Sequence, residues 1–159
     1  MKLIHNENFP CLRVFQAGLS SQMNWLISRM ETEIFTLCDF AQDAGGKLTI
    51  VGTFDQIGSK TFPVTHPSCS LACRLRFSEK ETGVHDFKLR LVDSKGKEVI
   101  PSIEGSINVG MTANSQYAAI NIVGNLNQLK FEKEGRYSFE LYVDGNWVTG
   151  LPLNLIKAG

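Results

Sequence analysis

The sequence lacks the features that would assign the protein to a membrane or to nucleic acid. No stretch approaches the roughly 18 consecutive apolar residues of a membrane span. Its 16 basic and 16 acidic side chains cancel, so the chain has no overall attraction to polyanions. Only four cysteines are present, too few and too irregularly spaced for a disulfide framework: Cys11, Cys38, Cys69 and Cys73. We therefore expect a cytoplasmic protein with reduced thiols that binds neither nucleic acid nor membrane.

Catalytic and metal-binding motifs are also missing. The chain has no Gly-x-Ser-x-Gly elbow, and Ser94–Lys97, which matches Ser-x-x-Lys, stands in a hairpin turn without its companion motifs. His85 falls in the apolar register of its strand, where a histidine is usually a hydrogen-bonded structural residue. No Cys/His spacing resembles a zinc site. We therefore expect no catalytic residue, no metal and no cofactor, and a protein that is not an enzyme.

Eight short segments alternate apolar and polar residues, and turn residues separate them, which is typical of an all-β protein. Alternation with period two indicates antiparallel sheets with one buried face and one wet face. Two such sheets packed face to face form a β-sandwich, and a closed barrel is the alternative. The eight segments are ETEIFTLCDF, KLTIVGTFDQI, SCSLACRLRF, HDFKLRLVD, SIEGSINV, YAAINIV, RYSFELYVD and WVTGLPLNLI.

The strand pattern decides how two closely spaced cysteines are interpreted. Cys69 and Cys73 would share one face of a helix and could bind one zinc ion there. On a strand, at roughly 3.3 Å per residue, they lie about 13 Å apart, too far for a shared ion or a disulfide. We predict two buried small side chains beside Leu71 and Leu75. A bridge from either one to Cys38 on another strand stays geometrically possible.

One local motif indicates an immunoglobulin-like architecture. Gly135 stands two residues before Tyr137 at a strand start, the spacing of a tyrosine corner, in which the phenol bonds to the backbone upstream. Phe139 occupies the place of the second cysteine of an antibody domain. We predict an immunoglobulin-like sandwich over residues 31–159. Residues 1–30 lack the β pattern and form an N-terminal extension: a loose or wrongly assigned start, a helix that docks on the sheets, or a transit peptide.

Residues 105–129 contain no charged side chain and no histidine. Their centre, MTANSQY, combines one rigid aromatic residue with small hydrogen-bonding residues, which is typical of an adaptable binding loop. The alternative is a strand pair buried on both faces with a polar crossover. The candidate binding residues are Asn114, Gln116 and Tyr117 in this loop, together with Trp147 after a hairpin turn.

From Glu31 to Lys157 the chain resembles a family of small bacterial proteins catalogued only as a domain of unknown function. The likeness is carried by FTLCDFAQ, GGKLTIVGTFDQI, FPVTHPS, EGRYSFELYVDG and LPLNL. The resemblance implies an all-β sandwich. It brings no activity, cofactor or site residue.

The function expected from the sequence is a non-catalytic binding or protein-interaction module, with an unknown protein partner or self-association. A first alternative is a small-ligand carrier with a pocket between the sheets. Space for such a pocket could come from small residues: Gly52, Ala72, Gly105 and Gly110. A second alternative is a structural protein that self-assembles through an exposed edge strand.

Overall fold

The computed structural model describes residues 30–159, so the predicted extension lies outside the described residues apart from Met30. The described chain is all-β, as predicted. It has one strand more than expected, because Phe54 and Asp55 interrupt KLTIVGTFDQI. The strands are β1 Glu31–Ala44, β2 Lys47–Thr53, β3 Gln56–Ser59, β4 Val64–Ser78, β5 Gly83–Asp93, β6 Ile103–Val109, β7 Tyr117–Phe131, β8 Gly135–Val143 and β9 Asn146–Lys157.

Two sheets form, as the alternation predicts. Sheet A has the order β2-β1-β4-β7, and sheet B has the order β3-β9-β8-β5-β6 and curls into a half-barrel. The prediction of purely antiparallel pairing is wrong at one place, because β3 runs parallel to β9. The chain crosses from sheet A to sheet B between β2 and β3. A strand that arrives by crossing, and not through a hairpin, is free to pair in parallel.

The core lies between the sheets. Phe131 of sheet A and Phe139 of sheet B are completely buried in it. The prediction that Cys69 and Cys73 are buried core residues is confirmed, and both thiols are free. Burial raises the pKa of Cys69 to about 11 and that of Cys73 to about 12, so both are protonated and unreactive at neutral pH.

The β1–β2 hairpin folds back over the outer face of sheet A. Its apolar side chains pack on Ala72 and Val123, and Asn121 donates to the carboxylate of Asp43 at 3.2 Å. Ser70 and Ala72 are therefore buried, with 4% and 0% of their surface exposed. Alternation along SCSLACRLRF places Ser70 and Ala72 on the face of β4 opposite Cys69 and Cys73, which predicts exposure to water. That prediction is wrong, because a third layer covers them.

The strands end in loops at two ends of the structure, called the corner end and the loop end. The corner end contains residues 132–134, where Tyr137 Oη donates to the carbonyl of Lys133 at 2.9 Å, the upstream bond that the tyrosine-corner spacing predicts. The loop end contains Met30, the 3₁₀ turn Glu79–Glu81, the β6–β7 loop and the β8–β9 turn. In residues 30–159 no helix is long and apolar enough to cross a membrane.

Candidate functional site

The structure brings all four predicted binding residues to the loop end, but not to one surface. Asn114 and Gln116 are exposed on the β6–β7 loop, and Asn114 has a positive φ of 68°. Tyr117 is half-exposed on the outer face of sheet A, where its ring lies 4.7 Å from the guanidinium of Arg76. Trp147 belongs to sheet B. The four residues therefore form two separate surfaces.

A β-bulge aims Trp147 outward. The pairing of β8 with β9 passes from Leu141–Thr149 to Tyr142–Trp147, which leaves Val148 without a counterpart. Val148 packs against the core, and the extra residue places Trp147 beside Tyr142 on the outer face. The indole is 57% exposed. Bulges commonly re-aim a side chain at functional sites.

An open groove of about 540 Å³ lies beside Trp147, between the starts of β1 and β9. Its walls are about equally polar and apolar, and Asp144 and Glu81 contribute two carboxylates to the polar part. The apolar part of the lining comprises Met30, Phe77, Val143, Trp147 and Val148. A large exposed indole next to other apolar side chains buries apolar area when a partner covers it.

A hydrogen-bonded histidine holds one wall of this groove. His85 Nδ1 lies 2.7 Å from a carboxylate oxygen of Asp144, and Nε2 lies 2.8 Å from the carbonyl of Glu81. Both partners only accept hydrogen bonds, so the arrangement favours the doubly protonated ring. These bonds raise the pKa of His85, first through Asp144 and then through Glu81.

Asp144 is fixed from two sides. It accepts from His85 and, at 3.0 Å, from the backbone N–H of Asp86, and its pKa is lowered chiefly by the His85 bond. The sequence interpretation of His85 as a bonded structural residue is consistent with this geometry. A histidine–carboxylate pair resembles a catalytic dyad, but here neither ring nitrogen is free to take a proton from a substrate.

The side chain of Glu81 ties the 3₁₀ turn to its surroundings. It accepts from the backbone N–H and hydroxyl of Ser78, both at 2.9 Å, and from the backbone N–H of Met30 at 2.7 Å. The first residue of the described chain is therefore anchored at the groove. Sequence reasoning missed this role. The signal was the Ser-x-x-Glu spacing of Ser78 and Glu81, a capping box.

The space between the sheets is small. An apolar cavity of about 80 Å³ lies there, lined on the sheet A side by Ile122 and Gly124. Ligand pockets usually hold roughly 300–1,000 Å³. Two of the four small residues that suggested space do not open a pocket: the ring of Phe87 covers Gly105, and Ala72 faces the β1–β2 hairpin. Among the described residues no group of three or more His, Cys, Asp or Glu could hold a metal.

Comparisons with known proteins add a family and distant structures. The profile of a family of unknown function (DUF6941) matches residues 33–156. A search of curated proteins gave no match. Among solved structures, the chain is similar to an alkylpurine DNA glycosylase from Pseudomonas fluorescens bound to DNA containing an abasic site analog. The identity is 12% and the TM-score 0.43, over 80% of this chain and 30% of that one.

Two further structures are similar at the same distance. A β-glucosidase from Listeria innocua in complex with isofagomine has 7% identity and a TM-score of 0.45, over 80% of this chain and 16% of that one. A β-D-glucoside glucohydrolase from Trichoderma reesei has 11% identity and a TM-score of 0.42, over 81% and 19%. The chain thus spans less than a third of each of these three proteins.

Proposed function

The chain belongs to a family of unknown function (DUF6941), and from its geometry we propose that it is a non-catalytic interaction module that binds a protein partner at the loop end. The observation that carries this proposal is Trp147, which a bulge turns outward beside an open groove with both apolar and polar walls. Tryptophan is enriched among the residues that dominate protein–protein binding energy. The partner inserts an apolar side chain against Val148 and Met30.

The rim of the groove defines the rest of the partner's chemistry. Asp144 is half-exposed and keeps its carboxylate ionised, because its pKa is lowered. It therefore offers an acceptor next to the apolar walls. The partner segment that fits carries a large apolar side chain with a hydrogen-bond donor beside it. The exposed loop residues Asn114 and Gln116 provide a second, adaptable contact on the other side of the Glu79–Glu81 turn.

The other candidate functions have less support. A carrier needs a pocket between the sheets, and the cavity there holds about 80 Å³. An enzyme needs a free base, and both nitrogens of His85 are engaged. Nucleic-acid binding needs free cations, whereas Arg74 and Arg76 both pair with Glu33. A protein interaction needs only the exposed apolar surface that this end presents.

We infer an immunoglobulin-like sandwich, supported by the two facing sheets and by the bond from Tyr137 to Lys133. We also infer a cytoplasmic location, supported by the free thiols of Cys38, Cys69 and Cys73.

Affinity capture with the full chain tests the binding surface. We compare wild type with Trp147→Ala and quantify every protein retained. Loss of a tryptophan at the centre of an interface costs about 2 kcal/mol or more, so we expect the true partner to bind at least roughly 30-fold more weakly. The affinities of wild type and Trp147→Ala for that partner are then measured by titration calorimetry, a readout that does not depend on the indole that the variant lacks.

Phe40→Ala is the matched control. Phe40 is a comparably exposed aromatic residue, at 49%, on the hairpin that covers sheet A. The partner should bind this variant as tightly as wild type. If no retained protein depends on Trp147, or if Phe40→Ala removes the same proteins, the loop end is not the binding surface.

A further inference from the structure

The last strand of sheet A has a free edge. β7 pairs with β4 along its length, and no other strand of the described chain pairs with its second edge. Alternate residues of such an edge present unpaired N–H and C=O groups. β7 has 15 residues. It is therefore a long template for another strand.

The chemistry of β7 does not protect this edge. Natural edge strands are usually short, charged, interrupted by proline or covered. Residues 117–129 carry no charged side chain and no proline, and Lys130 is the only charged residue of β7. The other sheet edges differ. β3 has four residues, β6 has seven and an ion-paired Glu104, and β2 folds back with its hairpin.

Apolar surface lies next to the free edge. Ile120 and Ile122 of β7 are only partly buried, and Ile103, at the start of neighbouring β6, is 37% exposed. The interior cavity is lined by Ile122, Gly124 and Ile103, so the two sheets are not closed on this side. A strand added to β7 would cover these side chains as well as the backbone groups.

We propose that β7 pairs with β7 of a second copy of this chain. In a two-fold antiparallel pair, residue i of one copy faces residue j of the other, and j faces i. A charged strand would place like charges close together in that arrangement, whereas the uncharged residues 117–129 create no repulsion. The two four-stranded A sheets become one continuous sheet. This interface is separate from the Trp147 groove.

Gly124 provides a matched pair of variants. A Cβ at Gly124 meets no atom within 4 Å, so a methyl group fits there without displacing a neighbour. Gly124 lines the apolar cavity where the two sheets are open, so a longer side chain has to leave through that opening. Gly124→Ala adds only a methyl group, whereas Gly124→Lys places a charge on the edge that the second copy would have to desolvate. By sedimentation equilibrium we expect dimers for wild type and Gly124→Ala, and monomers for Gly124→Lys with an unchanged circular dichroism spectrum.

Asn127→Lys is the second variant and keeps the test decisive if Gly124→Lys does not fold, because Asn127 is exposed. Hydrogen exchange locates the contact: the amides of β7 that point away from β4 should exchange slowly in wild type and faster in the lysine variants. A wild-type monomer overturns the proposal, and slow exchange of the same outward-pointing amides in that monomer would assign the edge to another segment of the same chain. A dimer that survives both lysines but not Trp147→Ala places the interface at the loop end instead.

Discussion

The two ends of the structure are built around similar pairs of rings. At the corner end Phe131 packs against Tyr137, and at the loop end Phe77 packs against His85, each pair with centroids 5.0 Å apart. Both phenylalanines are essentially completely buried. The rings are tilted differently, with interplanar angles of 73° at the corner end and 31° at the loop end. Each pair closes the core where the strands end.

The second ring of each pair also bonds to the neighbouring loop. Tyr137 donates to the carbonyl of Lys133, and His85 bonds to the carbonyl of Glu81. The two rings differ in their titration. Burial raises the pKa of Tyr137 above the ordinary tyrosine value of about 10, whereas an imidazole titrates near neutrality. The ring that titrates near neutrality, His85, lies at the loop end, which also carries Trp147. A change in pH therefore affects loop geometry only at the end where we propose binding.

The largest effect is expected from truncating Phe131, which packs against Tyr137 at the corner end. Phe131→Ala leaves a cavity in a site with 0% exposure, and such changes cost about 3–5 kcal/mol of unfolding free energy. Urea unfolding measures the loss. The control is Phe40→Ala, which should cost under about 0.5 kcal/mol, because Phe40 is half-exposed. Equal losses in the two variants would contradict the assignment of the core.

A smaller effect is expected from the hydroxyl of Tyr137. Tyr137→Phe keeps the ring against Phe131 and removes only the bond to Lys133, so the free energy of unfolding should fall by about 1 kcal/mol. The loss should be the same at pH 5 and pH 9, because the phenol is protonated throughout that range. A loss that changes strongly with pH would show that another group titrates with this bond.

The corner end was largely predictable from sequence, and the loop end was not. The Gly135-x-Tyr137 spacing is local, and its bond reaches only four residues upstream. The pair of His85 with Asp144 joins residues 59 apart, and no local pattern encodes it. The bulge at Val148 was hidden for a different reason. Both Trp147 and Val148 are compatible with a strand, so alternation alone does not show which residue is extra.

Some features of the fold were predictable from the sequence, and others were not. The alternation of apolar and polar residues predicted two sheets, because the face to which each side chain of a strand points depends only on its position along that strand. The burial of Ser70 and Ala72 depends on a hairpin that folds back across the sheet, which is a tertiary contact. The lack of charge in residues 105–129 was visible at once, but its place on a free sheet edge required the strand order.

The smallest effect is expected from replacing His85, and this variant compares the two ends most directly. His85→Phe keeps the ring against Phe77 and removes both hydrogen bonds, as Tyr137→Phe does for one bond. The pKa of His85 is raised in the folded state, so its contribution is complete below the unfolded value of about 6.5 and is lost as pH rises through the folded value. The lowered pKa of Asp144 keeps the carboxylate charged above about 4.

The stabilisation by this pair is therefore greatest near pH 5 and decreases toward pH 9. Because Asp144 is half-exposed, we expect the decrease to be under about 1 kcal/mol. Urea unfolding of wild type and His85→Phe at both pH values measures it, and Tyr137→Phe at the same two values is the reference. If the cost of His85→Phe is as independent of pH as that of Tyr137→Phe, folding does not change the pKa of His85, which contradicts the raised pKa. The two ends would then be equivalent in their response to pH.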